Sequence, residues 1–159
     1  MYVELHLHTC NLGTQTQESR NPFTGEIFAV PIDIGLNSAE RSAVRALLAD
    51  VEASAPDPDT YCRVVLGDGS ALNVAVSNLF GDGPCRAFAV EYYSLTPAVA
   101  SFVHDLASRG NLAIVASVKP LAVALPLPDQ RERVASRWPS AYVVASPSDL
   151  EHWLRENAR

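Results

Sequence analysis

Residues 3–8 alternate, with Val3, Leu5 and Leu7 apolar and Glu4, His6 and His8 polar. That period predicts a strand with one buried face. Residues 11–25 (NLGTQTQESRNPFTG) carry almost no apolar side chains and end in Asn-Pro and Gly, which predicts a long surface loop or projecting arm. EIFAVPIDI (26–34) reads as a strand held to an edge or a bulge by Pro31. Asn37 with Glu40 forms a capping box, and Val44, Leu47, Leu48 and Val51 follow at helical spacing. APDPD (55–59) should end that helix in a linker. CRVVL and ALNVAV flank Gly67-Asp68-Gly69-Ser70, the pattern of a hairpin, and NLFGDGP (78–84) is a further turn.

The second half changes character. CRAFAVEYY (85–93) reads as a strand. Thr96 and Pro97 open a helix whose face is Val99, Phe102, Val103 and Leu106, and Gly110 should close it in a left-handed conformation. LAIVASV (112–118) has the continuous apolar run of a strand covered on both faces. Strand, helix and strand make a βαβ unit. PDQRERVASRW (128–138) as a helix and AYVVA (141–145) as a strand make a second, and Ser146-Pro147 caps a last helix carrying Leu150, Trp153 and Leu154. The expected fold class is mixed α/β (α+β). It comprises one domain over 1–159, with a mixed sheet of six to eight strands and three or four helices. A strand-rich half (1–84) bears the 11–25 arm, and βαβ units build the other half (85–159).

Composition narrows the classes. A chain of 159 residues with 48% hydrophobic and 19% charged side chains is a folded domain, not a disordered one. The net charge of −6, with no clustered basic face, argues against nucleic acid as partner. No apolar run has membrane-spanning length, and MYVELHLH lacks the pattern of a signal peptide. Three cysteines without a CxxC pair suit reduced thiols, so a cytoplasmic location is expected.

His6, His8 and Cys10 sit at i, i+2 and i+4, so a strand would line up three metal-ligand side chains on one face. The segment ELHLHTCNL resembles the opening HxH motif of the polymerase-and-histidinol-phosphatase superfamily. The resemblance implies a metal-dependent phosphoesterase with two ligands at the end of the first barrel strand. It covers only those residues, and a β/α barrel needs ~200 residues or more. His104 and His152 fall in helical patterns instead. A small metal-dependent hydrolase using His6 and His8, completed by Cys10 or a distant carboxylate such as Glu91, is the alternative this motif keeps open. GDGS and FGDGPC lack the strand-to-helix setting of a phosphate cradle, so no cofactor is expected.

Acidic residues are more informative as a set. Asp50, Glu52, Asp57 and Asp59 fall together after the first helix, with Asp33, Asp68 and Asp82 at strand ends and turns. Gathered on one side, they would steer a basic protein partner. Phe23, Phe28, Tyr92 and Tyr93 are the candidate aromatic anchors. The small acidic chain, with NPFTGE followed by a proline-bearing strand and a capped helix, resembles the stand-alone immunity proteins of polymorphic toxin systems. That resemblance implies a bacterial, non-catalytic protein that neutralises a partner by occlusion, as a monomer or homodimer. A structural subunit that closes a free strand edge by homo-oligomerisation is the remaining alternative.

Overall fold

The computed structural model describes residues 2–57, 61–117 and 120–158. Its elements in chain order are β1 (Val3–Thr9), β2 (Leu12–Arg20), β3 (Ile27–Asp33), α1 (Ser38–Asp50), β4 (Glu52–Asp57), β5 (Tyr61–Val65), β6 (Ala71–Val76), β7 (Ala87–Tyr92), α2 (Pro97–Arg109), β8 (Leu112–Ala116), β9 (Ala122–Leu125), α3 (Gln130–Arg133), β10 (Tyr142–Val143) and α4 (Pro147–Asn157). Eight strands form one sheet in the order β10-β9-β8-β1-β7-β6-β5-β4, while β2 and β3 pair only with each other. All pairs in the large sheet are antiparallel except β9 with β10, so the sheet is mixed, as expected.

The strict alternation of β1 places it centrally. Leu5 and Leu7 are fully buried on the helical face, against a core that draws Val44 and Leu48 from α1, Phe102 and Leu106 from α2, and Leu150 and Leu154 from α4. The three helices start where their caps predict. Asn37, Thr96 and Ser146 each accept a hydrogen bond from the N–H three residues on, and Pro97 and Pro147 occupy the first turn. β8 is buried along its whole length, as its apolar run requires. The opposite face over β8 and β9 is closed by a smaller cluster of Cys10, Ala113, Val115, Val123, Leu125, Val134 and Ala141.

Several local expectations are corrected. Of the two forms expected for 11–25, the structure has the projecting arm and not the irregular loop: β2 occupies most of the segment and pairs with β3, and Asn21 and Gly25 make the return. Of the linker at 55–59, residues 55–57 belong to β4, which pairs with β5, and residues 58 and 59 lie outside the described residues. The helix read over 128–138 is a single turn, α3, followed by turns. β7, α2 and β8 do form a crossover, but β1 is inserted between the two strands. Gly110 is not left-handed, with φ −84°; Asn111 takes φ 51° instead. A Cβ at Gly110 would meet the Leu112 side chain at 2.8 Å, so a larger residue there requires Leu112 to shift.

One polar junction ties the layers together. In the α1 capping box Asn37 Oδ1 accepts from Glu40 N–H at 2.8 Å, and the Glu40 carboxylate accepts from Asn37 N–H at 2.9 Å. The same carboxylate accepts from the amides of Asn11 (2.7 Å) and Asn111 (3.1 Å). Asn111 also donates to Asn11 Oδ1 and accepts from the buried Gln130 amide at 2.9 Å. The end of β1, the start of α1, the α2–β8 turn and α3 are thus joined through two side chains, Glu40 and Asn111. Replacing Glu40 removes the cap and takes one acceptor from each of two part-buried amides, so Glu40→Ala should lower unfolding free energy by about 2–4 kcal/mol in urea titrations at neutral pH. A loss below about 0.5 kcal/mol, the size of an ordinary surface change, would show that the junction is dispensable.

Candidate functional site

The segment Ile27-Phe28-Ala29-Val30-Pro31-Ile32 has the composition of a strand buried on both faces. Its surroundings are the reverse. Paired only with β2, it forms an arm, and none of its residues is buried. Alternation puts Phe28, Val30 and Ile32 on one side and Ile27, Ala29 and Pro31 on the other. Ile27 and Phe28 are 54% and 48% exposed, and Ile34 at the root is also exposed. The hairpin closes through Asn21, whose Oδ1 accepts from the N–H groups of Phe23 and Thr24 while its own N–H donates to the Glu26 carbonyl. Gly25 supplies the positive φ of 72° that the return needs. This loop lifts Phe23 to the tip, 95% exposed.

The root of the arm is fixed. Arg137 Nη1 lies 2.6 Å from both carboxylate oxygens of Asp33, and Arg86 Nε donates to the Asp33 carbonyl at 2.7 Å. Ile34 N–H donates to the Asn11 carbonyl. At Gly35 the chain passes so close to Cys85 that a Cβ would sit 2.6 Å from its carbonyl oxygen, at φ 94°. A shallow cleft of about 450 Å³ lies beside this root, lined by residues that include Cys10, Asn11, Gly35, Asn37 and Arg133.

The sheet face away from the helices carries the other candidates. Cross-strand register sets Glu4 opposite Glu91, His6 opposite Ala89 and His8 opposite Ala87. His6 Nε2 lies 3.5 Å from Glu4 Oε1, and the His6 and His8 rings are 6.4 Å apart. His8 packs 6.1 Å from Trp138. Its pKa is lowered by burial first, then by the Arg137 cation and by His6, with Asp33 opposing. Cys10 does not complete a site with them. It is buried in the smaller apolar cluster, and burial pushes its thiol up to about 12, far from the thiolate that a metal would need. Among the described residues no group of three or more His, Cys, Asp or Glu is placed to hold a metal ion.

The remaining candidates separate. Tyr92 is corrected: it is buried in the main core, its hydroxyl has no partner among the described residues, and burial raises its pKa to about 12. Tyr93, next along the chain, is exposed and meets Tyr2 edge-on at 6.3 Å. Asp50 is exposed at the end of α1. The backbone of β4 carries Glu52 and Asp57 to opposite ends of an edge strand, about 17 Å apart, and Asp59 lies outside the described residues. Asp33 is spent on Arg137, and Asp68 caps its own turn through Ser70. Among the described residues, Asp33 and Asp68 are thus committed locally, while the backbone holds Glu52 and Asp57 at the two ends of β4. His104 Nε2 lies 3.0 Å from the Val144 carbonyl, and His152 is an exposed neighbour of Glu156. Sequence reasoning missed Ile27, Ile34, Arg137 and Trp138; the apolar run beside Pro31 was the only signal for the first two.

No protein-family model, curated protein or solved structure matches the chain. No helix among the described residues is long and apolar enough to cross a membrane.

The lowered pKa of His8 gives a test of how the face is built. Unfolded His8 takes up a proton near pH 6.5, whereas the folded protein resists it. Stability tied to His8 is therefore present above that pH and lost as pH falls towards the folded pKa. Urea unfolding at pH 7.5 and 5.5 should show a smaller acid loss for His8→Gln than for the unmodified chain. Equal losses would mean that the imidazole titrates freely.

Proposed function

We propose that the chain is a non-catalytic protein-binding domain of the immunity type. It neutralises a cationic protein partner by occluding it, and the β2–β3 arm is its principal contact. One observation carries this reading: an apolar strand lies exposed on both faces at the end of a braced root. Two-stranded hairpins with nothing packed on them are marginal in water. Exposed apolar surface of this kind marks interaction sites.

A partner that takes Phe23, Ile27 and Phe28 into an apolar groove removes that surface from water, and aromatic anchors of this sort dominate interface energetics. The root supports the reading further. Asp33 and Arg137 hold the arm in place, so less conformational freedom is lost on binding. The net charge of −6 favours a basic partner and speeds its approach. Asp50, with Glu52 and Asp57 along the edge strand, belongs to the steering rim, and Tyr93 to a secondary contact. The proposal places the protein in the cytoplasm, where its three unpaired cysteines stay reduced.

A photo-crosslinking phenylalanine analogue at position 28, introduced in the native host, should capture a basic protein. Calorimetry with that protein in purified form should then show about 30-fold weaker binding for Phe23→Ser/Phe28→Ser, and weaker binding of the unmodified chain as salt rises. Failure to capture a partner, or an unchanged affinity in the double variant, overturns the reading.

A further inference from the structure

The two outer edges of the arm are unlike. A proline is tolerated in a ladder where its nitrogen faces away from the paired strand, so Pro31 interrupts the free edge of β3. The free edge of β2 has no such block. It contains neither proline nor lysine, and apart from β3 it pairs with no strand among the described residues. An edge left open in this way is a template for another strand. β2 is irregular near its root, where four residue steps from Leu12 to Thr16 face two on β3, and regular from Thr16 to Arg20. The template is therefore the outer part of the arm.

The charges on that stretch say which strand fits. Glu18 and Arg20 are exposed on the same face of β2. Neither takes part in an ion pair among the described residues. An antiparallel copy of β2 paired about Ser19 sets each Glu18 opposite the other chain's Arg20, twice by symmetry. Opposite charges facing across a ladder are favourable, and like charges are not. Moving the centre to Glu18 or to Arg20 places identical charges face to face. The alternating signs thus select one register and a self-complementary, two-fold contact.

Geometry removes the main objection, which is that both copies carry −6. Pairing about Ser19 overlaps residues 18–20 of each β2 at the tips of the arms and leaves the bodies at opposite ends. The two Leu12 roots then stand about 46 Å apart, several times the ~8–10 Å over which salt screens charge. We infer that the outer edge of β2 pairs with β2 of a second copy in the Ser19-centred antiparallel register, a ladder of residues 18–20 from each chain linking the tips of the two arms into one four-stranded sheet. Phe28 lies opposite Ser19 within each hairpin, so the joined sheet sets two phenylalanines and two serines in one row. Both faces stay open to the partner proposed above.

Sedimentation velocity on the full chain, from micromolar to sub-millimolar concentration at physiological salt, tests the pairing with surface substitutions alone. The unmodified chain should show a concentration-dependent dimer. Glu18→Arg alone and Arg20→Glu alone should each dimerise at least tenfold more weakly. Mixing the two variants should restore the dimer, because every facing pair is again opposite in charge, and Glu18→Arg/Arg20→Glu should restore it within one chain. A dimer unaffected by either single change overturns the inference. So does a chain that stays monomeric throughout; if partner capture through Phe28 then persists, the partner reading survives and only the self-pairing falls.

Discussion

The Glu40 carboxylate, with the Asn111 amide beside it, holds the end of β1, the start of α1 and the α2–β8 turn together. A capping box satisfies the first N–H groups of a helix, and Asn37 and Glu40 do that for α1. Here the carboxylate is shared further, with amides from Asn11 and Asn111, and through Asn111 with Gln130. Each contact alone is modest, since a hydrogen bond to a charged group contributes about 1.5–3 kcal/mol. Their importance lies in what they join. The central strand, the first helix, the tight turn into β8 and the segment that closes the far face are all tied to that pair of side chains. The positive φ of Asn111 is tolerable because its side chain and its carbonyl are both used there: the carbonyl accepts from Cys10 N–H.

The arm begins and ends beside this junction. Asn11 precedes β2, and Gly35, whose carbonyl accepts from the Asn11 amide, follows β3. With Asp33 clamped by Arg137 and Arg86, both strands of the arm leave a rigid base. That arrangement reconciles two facts that otherwise conflict: a nine-residue strand with no core beneath it, and an apolar run with no cover. The body supplies the order that the arm lacks on its own.

Helices α1, α2 and α4 were legible because each is announced by a cap and an apolar stripe, and β1, β7 and β8 because their periodicity is unambiguous. What escaped was set by tertiary context. β2 shows no apolar alternation because neither of its faces is packed. Residues 55–57 carry the composition of a linker and still add a strand, since an edge position tolerates proline. Tyr92 and Tyr93 are adjacent and chemically alike, and only strand parity sends one into the core and the other outward. The pairing of Asp33 with Arg137 spans more than a hundred residues and leaves no local trace. The open imidazole-bearing face was visible in the alternation of β1, whereas the burial of Cys10 depended on Val134 and Ala141 folding over it.

The arm has a consequence for how such a protein tolerates substitution. No residue between Gly13 and Asp33 belongs to the core. Substitutions at its exposed outer positions, away from the Asp33 root, therefore leave the packing of the body unchanged. Body and arm are thus built on different terms, the first by packing around a core and the second by a backbone ladder alone.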